Sequence, residues 1–154
     1  MSERIETAAL RDFSVSLCRA AGLSADDAAL LTDSILFAEC RGVTSHGLLR
    51  LPQYIARLRS GATAMNVPMP FTMESGGTAR LDAQNGLGQL AGRKASDKAE
   101  VLAAEYGVSF VAVANSNHFG TGAWYAIPAA RRGFFAFNIS SAASAMAPHG
   151  AAQP

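Results

Sequence analysis

Apolar residues recur every three or four positions through the first sixty residues, then give way to shorter alternating and continuous runs. Leu10, Phe13, Leu17 and Ala20 define one stripe of a helix predicted over 6–21, with Gly22 as its stop. Ser24 is the predicted N-cap of a second helix, with Asp27 at the reciprocal position of a capping box. Its inner stripe is Ala28, Leu31, Ile35 and Ala38, and Gly42 ends it. Pro52 suits a first helical turn, so the pattern predicts a turn over 46–51 feeding a third helix closed by Gly61. Beyond the linker the period changes. "FTMES", Gly76-Gly77 and "TARLDA" read as a hairpin, and helical periodicity returns over 88–106. "VSFVAVA" (108–114) reads as a buried strand and "TGAWYAIPAARRG" as a short helix broken or kinked at Pro128. "FFAFNIS" (134–140) reads as another strand, and "SAASAMAPHGAAQP" as loop. The expected organisation is a helical domain (1–62), a linker marked by Pro68 and Pro70 (63–70) and an α/β domain (71–154).

Composition narrows the function classes. The 154 residues are enough for one domain with a real core, and the formal net charge is +1. With no Lys/Arg cluster interleaved with aromatics, a nucleic-acid partner is not expected. Arg57, Arg59, Arg131 and Arg132 fall near helix ends, where they complement the helix dipole. No apolar run is long enough for a bilayer, and the charged, amphipathic N-terminus does not read as a signal peptide. A membrane partner is therefore not expected. Cys18 and Cys40 are expected to be reduced and semi-buried. Neither has a CxxC or CxxH neighbour, and His46, His118 and His149 form no HxxxH or HxH pair, so no metal site is expected.

Three stretches could carry chemistry. Gly86-x-Gly88-x-x-x-Gly92 approximates a dinucleotide fingerprint, in which glycines admit a pyrophosphate at a helix N-terminus. Its context argues otherwise. The preceding segment reads as the second arm of a hairpin, not the first strand of a βαβ unit, and the strand after the helix ends in Asn115 where an acidic residue would bind ribose. Close packing at a glycine-rich helix entry is the better account. "TSHGLLRLPQY" gathers Ser45, His46, Arg50 and Tyr54, with His46, Arg50 and Tyr54 at four-residue spacing. On one continuous helix they would share a face, and across a turn Arg50 and Tyr54 could still converge. Arginine is shaped to grip a carboxylate through two hydrogen bonds. "NSNHFG" places His118 just after a strand end, where its near-neutral pKa suits proton transfer. On these residues alone it could equally be an ordinary loop histidine.

Together, "TSHGLLRLPQY", "VANSNHFGTGAWYA" and "MAPHG", in this order and spacing, resemble the type-2 malate/L-lactate dehydrogenase family. The resemblance implies an α/β fold of the α+β kind, in which a helical region adjoins a non-Rossmann, largely antiparallel or mixed sheet that binds NAD or NADP. It implies a cytoplasmic homodimer acting on a small 2-oxo or 2-hydroxy acid, or on a cyclic 2-imino acid such as Δ1-piperideine-2-carboxylate. By the same resemblance His118 is the acid–base residue, Ser45 and His46 belong to the catalytic polar pair, and Arg50 and Tyr54 bind substrate. Ser141, Ser144, His149 and Gly150 fall in a nucleotide-contacting loop. Family members extend well past the last residue here. The chain is thus expected to be a fragment with little activity of its own, with a non-catalytic remnant or half of a split enzyme as the alternative.

Overall fold

The computed structural model describes residues 5–141. Helices α1 (Thr7–Ala20), α2 (Ala25–Glu39) and α3 (Leu51–Arg59) form the first part. Strands β1 (Phe71–Ser75) and β2 (Thr78–Asp82), helix α4 (Gly88–Tyr106), strand β3 (Phe110–Ala114) and helix α5 (Ala123–Arg131) follow.

The α2 stripe lies where its periodicity puts it: Ala28, Leu31, Ile35 and Ala38 are all buried. Ser24 caps the helix by accepting from the Asp27 backbone N–H at 3.1 Å. The reciprocal half of the capping box is replaced, because the Ser24 N–H donates to the Asn66 side chain. The α1 stripe is rotated from its expected phase. Phe13 is 63% exposed and Ala20 is exposed, whereas Ser14 and Cys18 are fully buried. Ser14 tolerates burial because its hydroxyl donates to the Leu10 carbonyl at 2.8 Å. The two cysteines are both free, but they are not alike: Cys18 is wholly enclosed and Cys40 is exposed.

The first core unites α1, α2 and α3 with Leu87, through Leu31, Ile35, Leu51, Ile55 and Leu58. A second core, of Met69, Leu81, Ala83, Ala91 and Ala95, lies between the sheet and α4. Leu90 packs against both, so α4 couples them.

The described residues form a three-stranded mixed sheet, in the order β1-β2-β3. β1 and β2 pair antiparallel around the Gly76-Gly77 turn, as the hairpin pattern predicts. β2 also pairs in parallel with β3, with Thr78 opposite Phe110 and Asp82 opposite Ala114. One strand thus serves as hairpin arm and as first strand of a β2-α4-β3 crossover, which overturns the reading that it could be only the former. The glycines of the helix entry are nonetheless filled by the chain itself. A Cβ on Gly86 would lie 2.3 Å from Met69 Cε, one on Gly88 2.2 Å from the Asn117 carbonyl oxygen, and one on Gly92 2.7 Å from the Tyr125 ring.

Three further expectations need correction. β3 is not a buried strand: Phe110 and Val113 are exposed, because β3 is the outer strand of this sheet and α4 covers only one side of it. Of the expected break or kink at Pro128, the break does not occur, because helix α5 continues through that residue. Residues 134–140 form no strand among the described residues, and Phe135, Phe137 and Ile139 are exposed. A run of β-favouring residues becomes a strand only beside a partner with free backbone groups.

Candidate active site

Two irregular segments meet at the N-terminal end of α4. The first, 44–50, is not one helix. It consists of two single 3-10 turns, Thr44–His46 and Leu48–Arg50, separated by Gly47. The Glu39 carboxylate explains the glycine: it would lie 2.0 Å from a Cβ at position 47, and it accepts from the Leu48 N–H at 2.8 Å. α3 then begins with Pro52 in its first turn. The second segment, 115–120, leaves β3 through Asn115 at φ +52°, a left-handed conformation that asparagine tolerates better than most residues. Asn115 donates to Asp82, which, together with the Gln84 N–H, holds that carboxyl below the usual carboxylate range.

These segments bring His46, Arg50, Tyr54 and His118 together despite the broken helix. Tyr54 Oη and His118 Nδ1 are 2.7 Å apart, and the His46 and His118 ring centroids are 5.2 Å apart. Arg50, Tyr54 and His118 line a cavity of about 300 Å³ with Gln53, Arg57, Thr63, Leu87 and Asn117. That lining carries two guanidinium groups and no carboxylate. Ser45 lies at the margin: its hydroxyl is 3.0 Å from His46 Nδ1, and its carbonyl accepts from Arg50 Nε at 2.7 Å. Arg50 Nη1 donates to Gln53, so the guanidinium is braced beside the opening. Ser141 is exposed, and Ser144, His149 and Gly150 lie outside the described residues.

Electrostatics favour a neutral His118. Partial burial, then the Arg50 guanidinium and the neighbouring His46 ring, lower its pKa below the ordinary value. Burial raises the pKa of Tyr54, opposed by the Gln89 hydrogen bond and Arg50, so its phenol keeps its proton near neutrality. The Gln89 Nε2–H group donates to Tyr54 Oη at 2.7 Å, leaving the phenol proton for His118 Nδ1. The Gly120 N–H points to the same nitrogen at 3.3 Å. With two donors directed at Nδ1, the neutral ring carries its proton on Nε2.

Sequence reasoning missed three residues of this assembly. Asn117 donates to the Asn85 and Gly86 carbonyls and accepts from Arg57 at 2.9 Å, fixing the residue before His118. Arg57 therefore lines the cavity as well as standing in the last turn of α3. Gln89 is 1% exposed on α4, and a glutamine among Leu87, Gly88 and Ala91 was the signal available for it. Tyr125 completes the frame, stacking on Phe119 and donating to its carbonyl. Among the described residues, no three His, Cys, Asp or Glu side chains cluster as a metal site would require. No described helix is long and apolar enough to cross a membrane.

Known proteins share this arrangement of chain. The chain is 33% identical over 147 residues to a malate dehydrogenase of Pyrococcus abyssi, a match covering 96% of this chain and 41% of that protein. It is 34% identical over 154 residues to a (2R)-3-sulfolactate dehydrogenase (NADP(+)) of Chromohalobacter salexigens, covering 100% of this chain and 46% of the relative. The solved structure of a malate dehydrogenase from Pyrococcus horikoshii superposes with a TM-score of 0.83 at 32% identity, over 85% of this chain and 38% of that one. The chain thus spans less than half the length of these relatives. The malate/L-lactate dehydrogenase family model matches residues 5–154, and with these relatives it shows that the chain belongs to that family.

Proposed function

We propose that this chain forms the substrate-binding and proton-transferring part of an NAD(P)-dependent oxidoreductase that interconverts 2-oxo and 2-hydroxy acids. The observation that carries the reading is the convergence of His118, Tyr54 and Arg50 on one cationic cavity free of carboxylates. Family membership supports it, and so does the (NADP(+)) in the name of the Chromohalobacter relative.

In this reading the Arg50 guanidinium holds the substrate carboxylate, and its brace to Ser45 and Gln53 fixes the direction of that grip. Fixed orientation can lower the barrier by several kcal/mol, roughly 7–11 in the best intramolecular cases. His118 stands beside C2, where a carbonyl oxygen gains a proton on reduction and a hydroxyl loses one on oxidation. General acid–base help of this kind contributes about 10²–10⁴-fold. His46, tilted against His118, lowers its proton affinity. The nucleotide supplies or accepts the hydride. The glycine-rich entry to α4 does not fit it, because its own side chains and carbonyls occupy the space.

In the same reading the protein is a cytoplasmic homodimer, which light scattering tests, and its chain divides into 1–62 and 71–154 around the 63–70 linker. The function itself is tested by adding pyruvate, glyoxylate or oxaloacetate to the isotopically labelled chain. A 2-oxo acid should perturb the His118 and Arg50 side-chain resonances together. If none of the three acids moves either signal, the substrate assignment falls.

A further inference from the structure

Gln89 poses a question that the proposed reaction leaves unanswered. Its carboxamide is sealed in the interior, with Nε2 on Tyr54 Oη, and Oε1 is buried without a partner among the described residues. An unpartnered buried carbonyl is costly, because it has given up its hydrogen bond to water and gained none in return. A leucine would fill similar volume without that penalty.

The hydrogen bonds around His118 show what the spare oxygen can do. As arranged, Gln89 donates to Tyr54, Tyr54 donates to Nδ1, and the Gly120 N–H points to Nδ1 as well. This arrangement suits only a neutral ring protonated on Nε2. A charged imidazolium carries a proton on both nitrogens. Nδ1–H must then donate to Tyr54 Oη, and the phenol proton needs another acceptor. The end of Gln89 that now offers N–H occupies the required position, 2.7 Å from Oη. Turning the amide by half a rotation puts Oε1 there, while the Gly120 N–H gives up its long 3.3 Å contact with Nδ1. The two orientations have nearly the same shape and differ only in which atom faces the phenol.

We infer that Gln89 is a positioning residue whose amide orientation is coupled to the charge of His118: it donates to Tyr54 when the ring is neutral and accepts from Tyr54 when the ring is charged. Gln89, Tyr54 and His118 then form a two-state chain running from the buried face of α4 to the cavity. The proton that charges the ring is taken from solvent or substrate, and no bond of Gln89 changes. The other groups facing His118 are Arg50 and His46 from the turns before α3 and, behind Asn117, Arg57 from α3. The described residues that line the cavity carry no carboxylate, and the Gln89 amide oxygen is an acceptor within reach of the phenol proton. The functional importance of this coupling rests on the acid–base role of His118, but its test does not.

The test is a titration of the His118 ring by imidazole ¹⁵N and ¹H spectra of the 154-residue chain, with no substrate or nucleotide present. Gln89→Leu removes the acceptor and should lower the His118 pKa by about one unit, a tenfold loss of proton affinity. Gln89→Glu supplies a permanent acceptor and should raise it by at least as much. Shifts of the same sign in both variants, or no shift in either, overturn the inference. If either variant fails to fold, the wild-type spectrum still decides. The neutral ring should be protonated on Nε2, and a ring protonated on Nδ1 overturns the coupling. A 2-oxo acid that leaves His118 unmoved while these titrations behave as expected refutes the dehydrogenase reading alone.

Discussion

The two segments that meet at the cavity are held in opposite ways. Segment 115–120 is tied to distant parts of the chain: Asn115 to β2, Asn117 to α3 and the β2–α4 connection, His118 to Tyr54, and Phe119 to Tyr125 on α5. Segment 44–50 is tied mostly to itself. Arg50 bonds Ser45 and Gln53, Ser45 contacts His46, and Glu39 provides an outside anchor. Proton transfer requires a fixed distance, whereas a guanidinium can follow a carboxylate over a small range. The contrast teaches that long-range hydrogen bonds fix 115–120 against the rest of the fold, whereas 44–50 is shaped mainly by its own sequence; on the proposed function, that is a proton-transfer residue set by tertiary structure and an anion grip set locally.

The largest effect that would sharpen this contrast is on turnover. In an active protein containing this segment, His118→Ala should lower turnover by about 10²–10⁴-fold and leave nucleotide affinity nearly unchanged. Steady-state rates beside a nucleotide titration check both halves, and surviving turnover would break the assignment. Arg50→Gln comes next. Losing a charge-assisted hydrogen bond of about 1.5–3 kcal/mol should weaken 2-oxo-acid binding by roughly 10- to 150-fold. Stability should stay within about 0.5 kcal/mol, as read by urea midpoints, because the tethers of this segment are local. Gly88→Ala should do the reverse. Its Cβ would meet the Asn117 and His118 carbonyls at 2.2 and 2.5 Å, so overpacking should cost about 1–3 kcal/mol of stability. A wild-type urea midpoint in that variant would show that the loop yields easily.

The smallest effect is on the pH dependence of stability. The His118 pKa is lowered in the folded state, so below about pH 6.5 the unfolded chain binds a proton that the folded ring resists. The stability linked to this residue is present above that pH and fades as pH falls through the folded value. His118→Gln should flatten that part of the stability–pH profile measured by urea denaturation. An unchanged profile would show that the ring is not held neutral.

Much of the fold was legible because local chemistry and periodicity agreed. α4 begins and ends where its pattern does, and Gly107 at φ +81° supplies the left-handed stop. The hairpin followed from two short runs around Gly76-Gly77. The α1 phase was not legible, since small polar residues such as Ser14 can be buried once bonded to their own helix. The segment 134–140 misled for a different reason: strand identity depends on a neighbour, and no window of sequence contains that neighbour. The candidate site divides along the same line. His118, Arg50 and Tyr54 announce chemistry by residue type, and their meeting was implied by family resemblance. Gln89, Asn117 and Arg57 act through contacts 35, 31 and 60 residues away, to which local patterns are blind.

The double pairing of β2 has a consequence for the order of folding. Its antiparallel partner waits across a two-glycine turn, whereas its parallel partner arrives only after the whole of α4. Closing a longer loop costs more chain entropy and slows the step. The hairpin is therefore expected to zip first and template β3, with the bonds of Asn115 to β2 and Asn117 to Asn85 forming after it. Hydrogen-exchange pulse labelling should protect the β1–β2 amides before those of Val111–Ala114. On this order segment 115–120 becomes native only after the hairpin, and a destabilised variant should lose the seat of His118 before it loses the β1–β2 pairing.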